Sequence, residues 1–419
     1  MSVRGRLIGM ALLLVPVLGT AATPVDCTQG LLQRLGWRFE EAAVATPQVH
    51  GGVVCTRATL AEAQAAGDLH VQWPAAMPAA ARQAQLRQLL DDPATVCAYA
   101  FELGAATQRA ATALQDNPTF RFSGPQLGWI GFGLRGAPSQ GWQRTRSFGR
   151  GYVPSAGNSR ALQTFYSGSV RAECGVGRQV AQLATQRELY GDAAFDAEFK
   201  PAELSIGTFL ALHDTDSILL GANAGDFFAD GKAVRTSMMG RQAFVGVPGF
   251  IEHVYDKGTL DDLSNQAENF VVVEVGEGAA QALALHGGLA WYDQRNVELW
   301  KLAQDIPRVG QRYFERLLFE RDPDLRARLA PRYHDTLARM DQLLDDPFYQ
   351  QFVIYVHPRG IRPIGYHVAR LLDRNPRTPF SIDLAVHNLH TTLYRRWREA
   401  QLRHCAATGR PGSLTLDPN

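Results

Sequence analysis

An excess of charge of either sign is missing from this chain. Its 42 basic and 41 acidic residues leave a formal net charge of +1 over 419 residues. No global field therefore favours nucleic acid, an anionic membrane surface or a strongly acidic partner. Lysine is scarce, with four against 38 arginines, an imbalance to which no function is attached. No repeat of solenoid or propeller period is evident. The Gly-rich run GFGLRG at 131–136 lacks the preceding strand and following helix of a phosphate loop, which argues against nucleotide binding. Metal ligands are sparse. HNLH sets His387 and His390 one turn apart with Asp383 a turn earlier, but no strong pattern completes a zinc set, and a polar helix face is the plain reading. Neither a metal nor an organic cofactor is expected.

Long apolar runs are absent except at the N-terminus. There, Arg4 and Arg6 precede LIGMALLLVPVLG, and TAAT follows with small residues for cleavage near Ala21 or Ala22. Residues 1–22 read as a Sec-type secretory signal. The run is too short to span a bilayer and contains Pro16. Once the signal is removed, a soluble protein in the periplasm or beyond is expected, with no membrane association. The remaining composition, 46% apolar and 20% charged, is that of a globular protein with ample material for a core. The length allows one large domain or two to three ordinary ones.

Cysteine is sparse, and the count is odd: Cys27, Cys55, Cys97, Cys174 and Cys405. Thiols in an oxidising compartment pair, and an odd count leaves one over. With Cys174 as the free one, the other four allow three pairings. Cys27–Cys55 with Cys97–Cys405 is the simplest.

Five segments follow from the patterning. Residues 1–22 are the signal, and 23–116 form a mixed region with helices at about 78–91 and 94–114. Residues 117–160 are a Gly/Arg-rich segment with no helix or strand period, long enough for a lid or binding loop. Residues 161–290 carry the sharpest pattern. Val176, Val180, Leu183 and Ala184 recur at helical spacing from Cys174 until Gly191. ENFVVVEVG at 268–276 reads as a buried strand, and QALALHGG at 281–288 as its neighbour ending at His286. A helix followed by antiparallel strands is an α+β layout. Residues 291–419 read as a helical extension, with YVHPRGIRPIGYH (355–367) a connector and RRWREAQLRH a basic solvated face.

Cys174 draws attention because it opens a helix. Orphan N–H groups and the positive end of the helix dipole favour a thiolate there, below the usual pKa of about 8.5. Gly175 and Gly177 would let a substrate approach the backbone and offer N–H groups to an oxyanion. The Glu173 carboxylate acts in the opposite direction if it faces the sulfur. Two downstream residues offer a base, Glu268 at the start of the strand and His286 at the end of the next element. The plain alternatives are a buried structural thiol, a strand-end carboxylate in water and a core histidine.

Taken together, Glu173-Cys174, Gly191, Phe195 and Phe199, Gly225-Asp226, Glu268-Asn269 and His286-Gly287 occur in an order that resembles the bacterial protein-glutamine γ-glutamyltransferases of the spore-coat type, over roughly residues 160–290. The resemblance implies a papain-like α+β cysteine-enzyme core, here followed by a C-terminal helical subdomain. It implies that Cys174 attacks a glutamine side-chain amide, releases ammonia and passes the acyl group from its thioester to a lysine amine. Glu268 would be general base and acid, Glu173 a supporting carboxylate, and His286 an orienting or polarising group. Partners would be proteins bearing Gln and Lys side chains, with no metal or cofactor involved. Two readings compete with it. One is a papain-like cysteine hydrolase, either a peptidoglycan amidase or endopeptidase or a protein deamidase. The other is a non-catalytic periplasmic protein.

Overall fold

The computed structural model describes residues 24–52, 54–122, 135–136, 141–145, 151–207, 240–253, 266–373, 378–384 and 389–408. The signal of residues 1–22, Gly225-Asp226, His387 and the side chain of His390 lie outside the described residues. Among the described residues no helix is long and apolar enough to cross a membrane.

The described residues begin with helix α1 (Pro24–Arg34) and a small sheet of β1 (Arg38–Ala42), β2 (Gln48–His50) and β3 (His70–Pro74), ordered β1-β3-β2. Helix α2 (Leu60–Ala66) starts on a Thr59/Glu62 capping box and stops on Gly67, whose φ of 76° suits glycine. Helices α3 (Ala79–Leu90) and α4 (Pro93–Gln115) fall where the sequence periodicity puts them. Asp92 caps the backbone N–H of Ala94, and Pro93 stands at the first helical position, which needs no donor. The cystines are Cys27–Cys405 and Cys55–Cys97, with Cys174 left free. This corrects the pairing expected above. Bonding follows Cα separations of 5.7 and 5.5 Å rather than sequence order, and the first bridge joins residues 378 apart.

Short strands β4 (Phe120–Phe122), β5 (Arg135–Gly136), β6 (Trp142–Arg144), β7 (Tyr152–Pro154) and β8 (Val170–Ala172) surround α5 (Asn158–Ser167). Then come α6 (Cys174–Tyr190) and α7 (Asp192–Glu198). The central sheet is built from β9 (Pro248–His253), β10 (Gln266–Val275), β11 (Phe352–Val356), β12 (Gly360–Pro363) and β13 (Phe380–Leu384). It is antiparallel throughout, in the order β12-β11-β10-β9-β13. Between β10 and β11 lie α8 (Glu277–Leu285), α9 (Leu289–Asp305), α10 (Pro323–Ala327), α11 (His334–Leu344) and α12 (Pro347–Gln351). Helices α13 (Ile364–Leu372) and α14 (Leu389–Thr408) follow β12 and β13.

Strand β10 explains the layering. Val271 and Val273 pack, with Tyr355 of β11, in the core that holds α4 and α6. Phe270 and Val272 pack, with Ile354 and Val356, in a second core under α8, α9, α11 and α13. Successive strand residues face opposite ways, so NFVVV buries apolar side chains on both faces. Helices therefore cover both sides of a mixed α+β structure.

Three expectations are corrected here. The region after residue 290 is not only helical, because it supplies β11, β12 and β13, three of the five central strands. The supposed connector 355–367 holds the end of β11, a cis His357–Pro358 bond, β12 and the start of α13. QALALHGG is a helix end rather than a strand. Its Ala/Leu content favours helix and tips a short apolar run whose period is ambiguous. The basic tail in α14 is internally paired. Arg396 meets Glu198 at 3.2 Å and Glu203 at 2.8 Å, Arg403 meets Glu198 at 2.7 Å, and Arg398 meets Asp91.

Candidate active site around Cys174

Helix α6 starts where it does because Glu173 caps it. The Glu173 backbone is extended, and its carboxylate accepts from Gly175 N–H at 2.6 Å and Val176 N–H at 2.8 Å. Cys174 follows at the first helical position and is partly buried. Asn269 on β10 donates from Nδ2 to its Sγ at 3.5 Å, and the Asn269 backbone bonds the sulfur as well. Arg178 lies one turn along α6, close enough for its charge to act on both Glu173 and Cys174.

This arrangement reverses the expected pKa of the thiol. Burial pushes Cys174 up to about 11, and the Glu173 charge pushes the same way. The two Asn269 bonds pull down and only partly offset them. The helix terminus does not rescue the thiolate, because its amides are already satisfied by Glu173. The carboxyl of Glu173 is itself raised by burial, against the downward pull of the Gly175 and Val176 amides, Arg178 and the Cys174 S–H. The carboxyl of the adjacent residue Glu173 is close enough for its charge to act on the sulfur, so a proton acceptor stands beside it. The proposed oxyanion donors change for the same reason. Gly175 N–H is engaged with Glu173, and Gly177 N–H closes the helix onto the Glu173 carbonyl at 2.9 Å.

Glu268 is not at the thiol. It neighbours Asn269 on one strand, so the two side chains point to opposite faces of the sheet. Asn269 faces α6. Glu268 is buried on the other side, paired with Arg370 and His367 of α13. His286 is not there either. It ends α8, the helix that starts only after β10 has run on from Asn269 for six more residues, about 20 Å of strand. Its ring stacks on Trp291 at 3.6 Å, and Arg295 lies 4.0 Å from the Trp291 centroid. Trp291 and Arg295 help line a cavity of about 290 Å³ with Arg339 and Asp346. Of the four residues singled out, the structure brings Cys174 and Glu173 together and leaves Glu268 and His286 elsewhere. Phe195 and Phe199 are core residues, 5.1 Å apart. Asp383 lies on β13 opposite Phe250, and among the described residues no cluster of His, Cys, Asp and Glu could hold a metal.

Two residues enter that the sequence reading passed over. Asn269 was visible only as the companion of Glu268. Strand parity was the available signal, since one of the pair had to face the cysteine helix. His357 lies just past β11, where the β10–β11 register sets it opposite Asn269. It stacks on Phe120 at 3.7 Å and lies against the backbone of Arg121 and Ala172, with its Nε2 buried and unpartnered, so it packs into the corner that leads into Glu173 and Cys174. Gly177 is required at this point, because a Cβ there would sit 2.3 Å from the His357 Cβ.

Burial lowers the His357 imidazole to about 4, against the upward pull of the neighbouring Arg121 and Ala172 backbone. The unfolded chain takes this proton near pH 6.5, whereas the native site refuses it until about pH 4. Stability from this group is therefore complete above pH 6.5 and falls by up to about 3 kcal/mol as pH drops to 4. His357→Phe, which keeps a ring on Phe120, is expected to flatten the urea midpoint against pH in that window. An unaltered profile would mean that the ring takes its proton in place. Compared with known proteins, the chain matches no family model, no curated protein and no solved structure.

Proposed function

We propose that the chain is an exported cysteine acyltransferase of the protein-glutamine γ-glutamyltransferase kind, with a papain-like arrangement of helix and sheet at its centre. One observation carries this reading. The unpaired cysteine opens a helix beside the buried carboxyl of Glu173 and is held by an amide from the facing strand.

In this reaction the Cys174 S–H proton passes to Glu173 as Sγ attacks the side-chain carbonyl carbon of a glutamine. Collapse of the tetrahedral adduct breaks the C–N bond, and Glu173 returns the proton to the departing nitrogen, which leaves as ammonia. A lysine amine then attacks the thioester and loses its proton to Glu173. The C–S bond breaks, an isopeptide forms and the thiol is restored. Water in place of the amine gives glutamate. The general-base role thus moves from Glu268 to Glu173, whose raised pKa narrows its gap to the thiol. Two cystines and the signal-like residues 1–22 support an oxidising compartment, periplasmic or secreted.

The test is covalent uptake of a fluorescent primary amine into a glutamine-bearing protein. Uptake is expected with untreated protein and is expected to disappear after iodoacetamide treatment. Ammonia release without uptake, or neither from folded protein across several substrates, refutes the transferase reading.

A further inference from the structure

We infer that Asn269 is a catalytic residue of the acyl-transfer site, its Nδ2 donating to the oxyanion that forms when Cys174 Sγ attacks a carbonyl carbon. This rests on the acyl-transfer reading above and adds to it the group that receives the developing charge.

The need for such a donor arises at the helix terminus. Gly175 N–H and Val176 N–H are bonded to the Glu173 carboxylate, and Gly177 N–H is bonded to the Glu173 carbonyl. Asn269 remains. It touches the reacting atom itself, with Nδ2 3.5 Å from Sγ. A side-chain amide carries two N–H bonds, and among the described residues Nδ2 has no acceptor other than Sγ. Its place is set by the sheet. Asn269 sits on β10, which is flanked by β11 and β9, pairs with Phe250 and is 5% exposed. The ladder therefore fixes the carboxamide before a substrate arrives, which is what a preorganised donor requires.

The hydrogen bond grows stronger as the reaction proceeds. While the Sγ–C bond forms, the π pair of the carbonyl moves onto its oxygen and the thiol proton goes to Glu173. That oxygen stands two bonds from Sγ. A donor already against the sulfur has only a small shift to make to lie about 2.7–3.1 Å from it. Sulfur becomes a poorer acceptor as its electron pair enters the new bond, whereas the charged oxygen is a better one. The Nδ2 bond is thus tighter in the transition state than in the resting enzyme, the condition for raising the rate. Collapse returns the pair to the C=O bond and expels the leaving nitrogen with the proton from Glu173.

The experiment compares two reagents on the full chain at pH 7.5 without reductant, where Cys174 is the free thiol and the other four cysteines are in cystines. 4-Nitrophenyl acetate acetylates Sγ through an oxyanion and releases 4-nitrophenolate. Iodoacetamide alkylates Sγ by displacing iodide at a saturated carbon, with no oxyanion. Both products are measured by mass on the peptide that carries Cys174. Asn269→Ala is expected to slow acetylation about a hundredfold. Alkylation, which loses only a neutral hydrogen bond to sulfur, should slow by about fivefold at most. Asn269→Leu keeps the branched shape without a donor, should show the same split, and carries the test if the Ala variant does not fold. Rates that fall together in a folded variant, so that their ratio is unchanged, overturn the proposal. So does a wild-type Cys174 that alkylates but is not acetylated. The amine assay separates this from the transferase reading. A collapsed ratio with no amine uptake by wild type supports Asn269 and refutes the transferase, whereas uptake that survives Asn269→Ala does the reverse.

Discussion

Cys174→Ala is expected to fold normally and to lose amine incorporation by about a thousandfold or more, the scale on which removal of a covalent nucleophile is felt. Little structural cost accompanies the change. The side chain is partly buried, and the carboxylate of Glu173 keeps both of its amide donors when the sulfur is removed. Asn269 Nδ2 loses its sulfur acceptor, a cost of about 1 kcal/mol. Thermal melting should therefore shift by a few degrees at most, while activity disappears. Cys174→Ser sharpens the test, since it keeps a small hydrogen-bonding atom but offers a far weaker nucleophile. A structural thiol would give the opposite result, with activity persisting in the serine variant and stability falling in the alanine one. Stability is followed by urea titration and activity by the fluorescent amine assay.

Much of the region that carries this prediction was legible in the sequence. The Val176, Val180, Leu183 and Ala184 spacing and the stop at Gly191 marked α6, and the pattern over about 94–114 marked α4, because stops and periods are local signals. The partners of these elements were not legible, since what decides them is long-range. Cys27 bonds Cys405 because α1 and α14 pack together, which no spacing encodes. FVIYV at 352–356 reads as a strand only once β10 lies beside it, so the C-terminal third looked purely helical. Glu173 looked like a threat to the thiolate, and it does raise the pKa of the sulfur. Burial of its own carboxyl, which the sequence does not show, is what raises its pKa toward that of the thiol.

The second large effect concerns Glu268, where the resemblance and the geometry part. As the general base, Glu268→Gln would abolish activity in a protein of unchanged stability. The structure leads to the reverse expectation. Glu268 is 2% exposed and is paired with Arg370, 7% exposed, and with the fully buried His367. It faces the core beneath α13 rather than α6. Glu268→Ala leaves the Arg370 charge buried without its carboxylate, an omission that costs about 3–5 kcal/mol. Glu268→Gln keeps the shape and one acceptor, so it should cost less. Urea titration should show the midpoint ordered wild type, Gln, Ala. At a temperature where all three remain folded, Cys174 alkylation rates should agree within about twofold, because β10 still presents Asn269 to the sulfur, and a twofold change corresponds to well under 1 kcal/mol. A Glu268→Gln protein that melts like wild type yet neither alkylates nor transfers would return the base to Glu268 and require β10 to present that carboxylate to the thiol.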